Sequence, residues 1–254
     1  MPQLRDARAP EGLRLYAIGD VHGRLDLLRE MHARIGADLV RRPCRAFRVI
    51  HLGDYIDRGP DSAGVIAHLI EFAQDGDAAC LCGNHDLYPL SFLEDPGKSA
   101  EHWFAYGGLE ALASYGVDAF APGLGLRSAK AVRKAFASAL PPEHLAFLRG
   151  LSFMERQGDY LFVHAGLRPK VRIEKQKIGD LVMIREPFLS HEGDFGAVVV
   201  HGHTVSPEPV IRANRVGLDT KAYATGLLSC LVLEDVEKGL LTASGYAPLT
   251  FDAA

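Results

Sequence analysis

Within its first 86 residues the chain repeats one pattern three times: an apolar run, a glycine-bearing polar loop, and apolar positions at helical spacing. Residues 13–18 read as a strand and end in Gly19-Asp20-Val21-His22-Gly23. Leu25, Leu28, Met31, His32 and Ile35 then recur every three or four positions, which predicts a helix over residues 24–35. A second strand, over residues 47–52, runs into Gly53-Asp54-Tyr55-Ile56-Asp57-Arg58-Gly59 and a helix over 61–74. A short strand over 78–81 ends in Gly83-Asn84-His85-Asp86. Strands alternating with helices predict an α/β sheet, with the three polar loops gathered along one edge.

Residues 87–150 read as mostly helical, with one helix over 129–140 and a short one opening at Pro141-Pro142-Glu143, where proline suits a first turn. Carrying Trp103, Tyr106 and Tyr115, this stretch is expected to form a cap-like insertion beside the site, and no chemistry is assigned to it. Beyond it the pattern turns to strands. Residues 151–155 and 160–163 flank Gln157-Gly158-Asp159, a hairpin signal, and the second strand ends in His164-Ala165-Gly166. A helical or loop stretch over 178–188 carries Arg185, and a buried-strand run over 197–200 ends in His201-Gly202-His203-Thr204. Strands over 210–211, 215–218, 227–233 and 240–244 complete the reading. Residues 1–12 look like a loose tail, and without linker or repeat the whole span 1–254 is expected to be one domain.

Composition narrows the class. A chain of 254 residues, 48% hydrophobic and 24% charged, can bury one large core or two small ones. Its net charge of −4 lends no support to a nucleic-acid partner, and Arg41, Arg42, Arg45 and Arg48 read as a solvated surface. Cys44, Cys80, Cys82 and Cys230 show no paired framework, which fits reduced thiols. The first twelve residues mix charges and prolines and do not read as a signal peptide, and no apolar run is long enough to span a bilayer. The expected location is cytoplasmic, with no membrane partner.

The chemistry lies in the polar residues at the strand ends: Asp20, His22, Asp54, Asn84, His164 and His203. Asp20 and His22, two apart in an extended segment, point the same way. Mixed carboxylate and imidazole donors suit manganese, iron or zinc rather than calcium, which takes oxygen ligands. Six donors are too many for one ion that must keep a water, and they fit two ions sharing one carboxylate. In the loop 53–59, one acid can hold metal, the other can orient a partner, and Arg58 can grip phosphate in a fork.

Asp-x-His-Gly, Gly-Asp-x-x-Asp-Arg-Gly, Gly-Asn-His-Asp, His-Ala-Gly and Gly-His-Thr occur in this order over residues 19–204. Each is short; together and in order they resemble the phosphoprotein phosphatase family of calcineurin-like metallophosphoesterases, in its bacterial and phage serine/threonine phosphatase branch. The resemblance implies an α/β fold, a four-layer α/β/β/α sandwich of two mixed β-sheets flanked by helices, with a dinuclear site at the sheet edge. It implies two divalent ions, manganese first, with iron and zinc as alternatives. Asp20, His22 and Asp54 would hold the first ion, and Asp54 as bridge, Asn84, His164 and His203 the second. A metal-bridged hydroxide would attack phosphorus in line. His85, paired with Asp57, would protonate the leaving alkoxide, and the pairing is expected to keep the imidazole protonated near neutral pH. Arg58 would bind phosphate, as would Arg185 within Met183-Ile184-Arg185-Glu186.

The remaining residues of these types read more plainly. His32, His68, His102, His144 and His191 are taken as structural or solvated, and His51 and His201 as packed beside the motifs. Asp86 is expected to cap the helix that follows it, and Cys80 and Cys82 to be small buried residues. Asp219-Thr220 matches a pair common near the family's C-terminal strands, but Lys221 stands where glycine is expected. The leading function is a metal-dependent serine/threonine protein phosphatase, with tyrosine activity open, acting on a phosphorylated protein or peptide. The alternative is a symmetrical diadenosine tetraphosphate hydrolase, which would need adenine-stacking aromatics and extra cations near the metal edge. A non-catalytic binding domain ranks below both, because the acid and phosphate-binding residues are all present.

Overall fold

The computed structural model describes residues 3–121 and 125–251. Its first part alternates β1 (Leu13–Ile18), α1 (Leu25–Arg41), β2 (Ala46–His51), α2 (Ser62–Phe72) and β3 (Ala78–Cys80). Five helices follow: α3 (Asn84–Glu94), α4 (Pro96–Trp103), α5 (Leu109–Ser114), α6 (Ala129–Ala139) and α7 (Pro142–Gly150). A two-stranded ribbon of β4 (Phe120–Ala121) and β5 (Gly125–Leu126) lies between α5 and α6. The last part holds β6 (Met154–Gln157), β7 (Tyr160–Val163), α8 (Ile178–Met183), β8 (Val198–His201), β9 (Val210–Ile211) and β10 (Arg215–Gly217). It ends with α9 (Ala222–Thr225), β11 (Cys230–Glu234), β12 (Glu237–Thr242) and β13 (Gly245–Pro248).

Two mixed sheets result. One has the order β13-β12-β11-β1-β2-β3 and the other β6-β7-β8-β10-β9. β1, β2 and β3 run parallel, as do β7, β8 and β10, so the loops leaving these strands come out at their carboxyl ends. The alternation of strand side chains makes the layers. Leu15 and Ala17 of β1 face Tyr160 and Phe162 of β7 and Val198 and Val200 of β8, forming the core between the sheets. Their sequence neighbours Tyr16 and Ile18 pack outward against Leu28, Met31 and Ile35 of α1 and Val65, Ile66 and Leu69 of α2. On the far side Leu161, Val163 and Val199 meet Leu181 of α8 and Phe188. The helix–sheet–sheet–helix sandwich is the expected architecture. No helix among the described residues is long and apolar enough to cross a membrane.

Two differences from the sequence reading have physical reasons. Residues 3–12 are not a loose tail: Leu4, Ala7 and Ala9 are buried in the core between the sheets. Their backbone is tied by Leu4 N–H to Ala213 O at 2.6 Å and Ala9 N–H to Asp235 O at 2.9 Å. Met1 and Pro2 lie outside the described residues. Helix α1 runs past residue 35 to Arg41 because buried Asp38 anchors its last turns, accepting from Tyr16 Oη at 2.6 Å and Arg42 Nη2 at 2.7 Å. The insertion is helical, and it has a core of its own around Phe92, Trp103, Leu112 and Phe136.

Candidate active site

The loops after β1, β2, β3, β7, β8 and β10 meet at one sheet edge, and their backbone is unusual. His22, Asp54, Asp57, Arg58 and His203 all have φ between 46° and 72°, the left-handed region that disfavours side chains. Strain of this kind persists where surrounding bonds over-determine it. The carboxylate of Asp86 is one such fastener. It accepts N–H bonds from Gly83, Asp54 and Tyr55, each at 2.9 Å, so one side chain caps α3 and sews its start to the loop after β2. The Asp86 side chain thus does more than the expected cap. Glycine is required where backbone passes carboxylate: a Cβ on Gly83 would collide with Asp54, and one on Gly202 with Asp20.

Asp54 sits at the centre, 2% exposed. Its Oδ1 accepts the His85 backbone N–H at 2.9 Å and lies 3.4 Å from His164 Nε2, while Oδ2 lies 3.5 Å from His22 Nε2. Donor atoms of Asp54, His164 and His203 lie within 4.8 Å of one another, and so do those of Asp54, His22 and His85. Asn84 joins the first of these groups through Oδ1, 3.1 Å from His164 Nε2. Asp20 is buried beside them but belongs to neither group; its Oδ2 accepts the His203 N–H at 3.0 Å. Arg185 reaches the same place, its Nη2 donating to His203 O at 3.4 Å.

Hydrogen bonds at Nδ1 orient three of the imidazoles. His22 Nδ1 donates to Ile56 O at 2.8 Å, His164 Nδ1 to Leu52 O at 2.9 Å and His85 Nδ1 to Asp57 Oδ2 at 2.7 Å. In all three the Nε2 faces the cluster of Asp54, Asn84 and Arg58. Arg58 donates to two of them, through Nη1 to His22 Nε2 and Nη2 to His85 Nε2, both at 2.9 Å.

Burial pushes His85 down to about 3 and His22 down to about 4. The expected pairing of His85 with Asp57 is present, while burial works against the protonated imidazole and the Asp54 carboxylate works for it. Burial pushes Asp57 upward, opposed by the Trp103 N–H, which donates to Asp57 Oδ1 at 2.9 Å. His164 behaves differently. Burial opposes its charge, but Asp54, with Asp20 and Asp86 beyond it, more than offsets this and raises the imidazole to about 10.

These features fit divalent cations. The surrounding carboxylates draw positive charge onto His164, and His203 Nε2 is buried without a hydrogen-bond partner. An orphaned imidazole nitrogen beside carboxylates is costly unless something accepts its lone pair, and a first-row metal does.

The cleft above the acids holds about 320 Å³. Its wall is built partly from residues to which the sequence reading gave no role. Tyr88, His102 and Tyr106 come from the insertion, with His102 packed 4.9 Å from the Tyr88 ring and 4.6 Å from the Tyr106 ring. His102 is exposed and packs between these two rings, as a structural or solvated histidine would. From the other side come Asp219, Lys221 and Tyr223, with Tyr223 edge-on to His22 at 5.3 Å. Their common signal in the sequence was aromatic and charged residues without an apolar period, too weak to assign to a site.

The sequence profile of the calcineurin-like phosphoesterases matches residues 13–226. Among curated proteins, the symmetrical bis(5′-nucleosyl)-tetraphosphatase of Aromatoleum aromaticum is 29% identical over 156 residues, covering 61% of this chain and 45% of that protein. The protein of the same name from Nitrosomonas europaea is 30% identical over 164 residues, covering 64% and 48%. The chain thus spans about half the length of the curated relatives it matches. Among solved structures, a putative diadenosine tetraphosphatase superposes with a TM-score of 0.62 at 19% identity, over 95% of this chain and 98% of that one. A cold-active protein tyrosine phosphatase gives 0.62 at 15% identity, over 97% and 82%. At these identities the structural likeness is one of fold.

Proposed function

The chain belongs to the calcineurin-like phosphoesterases, and on that premise we propose that it is a metal-dependent hydrolase of dinucleoside tetraphosphates that cleaves them symmetrically. The observation that carries this reading is the cleft wall: Tyr88, Tyr106 and Tyr223 line it with aromatic surface, beside three cationic side chains, Arg58, Arg185 and Lys221. Beyond the two phosphate-binding arginines, Lys221 and the three tyrosines are of the kind the sequence reading asked of such an enzyme. The names of the curated relatives support the same choice. The order of the two substrate classes is therefore reversed from the one the motifs alone suggested.

In this proposal Asp20, His22 and Asp54 hold one divalent ion, and Asp54, Asn84, His164 and His203 hold the other. Bound there, two cations lower the pKa of water and neutralise phosphate charge. The chain's own residues do the rest. Arg58 and Arg185 take the charge of the phosphoryl group under attack. When Arg58 turns to phosphate its charge leaves His85 Nε2, the nitrogen that would then carry the proton facing the leaving oxygen. Asp57 and Trp103 hold the imidazole so that Nε2 keeps that direction. The aromatic wall sets the nucleoside and limits water around it.

A second reading, a phosphomonoesterase acting on phosphoprotein, is favoured by one feature, the buried His85–Asp57 pair. A nucleoside diphosphate leaves without much help, whereas an alkoxide needs a proton, and a placed acid contributes about 10²–10⁴-fold. Product analysis tests the main reading. Chromatography of the Mn²⁺-supplemented reaction on diadenosine tetraphosphate should show ADP as the sole nucleotide product. ATP with AMP, or no turnover beside rapid phosphopeptide hydrolysis, would replace it with another specificity.

A further inference from the structure

We propose that Lys221 is a specificity-determining residue, binding the phosphate next to the one under attack. This rests on the oligophosphate reading above for its substrate class, and it concerns a position where the chain departs from the expected glycine.

Lys221 has φ 58° and ψ 47°, left-handed backbone in which a side chain carries a steric cost. The turn asks nothing of that side chain. The Lys221 N–H donates to Asp219 Oδ1 at 2.9 Å, and its carbonyl accepts from Ala224 and Thr225 at 2.9 and 3.0 Å, all of which glycine would do as well. Nor can lysine offset the strain by a local side-chain bond, as asparagine does. A strained residue with no local use points to a use elsewhere.

The side chain lines the cleft. Its Nζ lies 5.8 Å from the centre of the Tyr223 ring, and the Arg58 guanidinium lies 5.1 Å from the same centre. That ring stands edge-on to His22. The Lys221 ammonium is thus one aromatic ring away from the corner where Arg58 meets His22 and His85. Among the described residues it pairs with no carboxylate within 4.0 Å. A single phosphate held by Arg58 and Arg185 leaves Lys221 without a counter-ion; a second phosphate in the same chain supplies one. Lysine, a mobile point charge on a long stem, suits a phosphate whose position shifts with the substrate.

The test is calorimetric binding of ADP, AMP and orthophosphate to the Mn²⁺-loaded protein. In ADP the terminal phosphate occupies the reaction site and the inner one reaches Lys221; AMP and orthophosphate have no second phosphate to offer. Lys221→Gly, which relieves the backbone and should fold well, is expected to weaken ADP about tenfold while AMP and orthophosphate change by less than about twofold. Lys221→Arg is expected to keep most of the ADP affinity. Unchanged ADP binding in Lys221→Gly, or equal weakening of all three ligands, overturns the assignment. Turnover of diadenosine tetraphosphate is read separately. Its absence in the unmodified protein would discard the substrate reading, while the ADP-to-AMP ratio would still decide for or against Lys221.

Discussion

Trp103 Nε1 donates a 2.9 Å hydrogen bond to Oδ1 of Asp57, whose other oxygen accepts from His85 at 2.7 Å. The insertion is thereby wired to the reaction centre. Trp103 is fully buried within the insertion's own core, so the packing of α4 sets where the Asp57 carboxylate points and hence the direction of His85.

Trp103→Phe keeps an aromatic ring and removes the donor. It should lower kcat for a phosphoserine peptide about tenfold, part of the range a placed acid contributes, and lower p-nitrophenyl phosphate turnover much less. Leaving a buried carboxylate oxygen unpaired should also cost about 1–3 kcal/mol in urea unfolding. Equal kinetic losses on both substrates would mean that Trp103 acts only through folding.

His85→Asn tests the acid itself. Its loss should be large with alkyl phosphates and small with p-nitrophenyl phosphate, whose leaving group needs no proton, with dinucleoside tetraphosphate nearer the latter. Steady-state kcat on the three substrates checks the order.

Asp54 lies in both donor groups. Asp54→Asn should therefore lose metal and activity together. Metal analysis after dialysis is expected to show markedly less bound Mn²⁺ than the parent chain. The melting temperature of the variant should no longer rise on adding Mn²⁺, because a ligand stabilises only a fold that binds it.

A chain of three histidines lies away from the cleft. His32 Nδ1 is 3.0 Å from His68 Nε2, and His32 Nε2 is 2.9 Å from His51 Nε2. Phe72 stacks on His32 at 3.8 Å. Burial, and then the neighbouring imidazoles, push His32 down to about 2, and burial pushes His51 down to about 4. Both stay neutral in the fold while the unfolded chain takes up protons below an ordinary histidine pKa of 6.5. Their contribution to stability is therefore intact above pH 6.5 and is lost as pH falls toward 4. Denaturant unfolding at pH 7 and pH 5 should show this loss, and His32→Phe should reduce its slope by up to about 1.4 kcal/mol per pH unit. An unchanged slope would place the histidine protons elsewhere.

The strands and metal-edge loops were legible because both signals are local. Short apolar runs mark β1, β2 and β7, and Gly53-Asp54 or Gly83-Asn84 marks where a strand must stop and turn. What escaped depends on contacts between distant segments. Leu4, Ala7 and Ala9 carry no period, and become core only because the edge between the sheets receives them. Trp103, His102 and Tyr106 reach the cleft through the fold of the insertion, which no motif describes. The pairing of His85 with Asp57 is visible in the motifs, and the burial that works against its charge is not.

The central claim is the substrate class, and the most direct measurement is kcat/KM of the Mn²⁺-supplemented protein on diadenosine tetraphosphate and on phosphoserine, phosphothreonine and phosphotyrosine peptides in parallel. The aromatic and cationic cleft predicts that the dinucleotide is preferred by orders of magnitude. Preference of that size for any of the peptides would contradict it and return the chain to the phosphoprotein phosphatases.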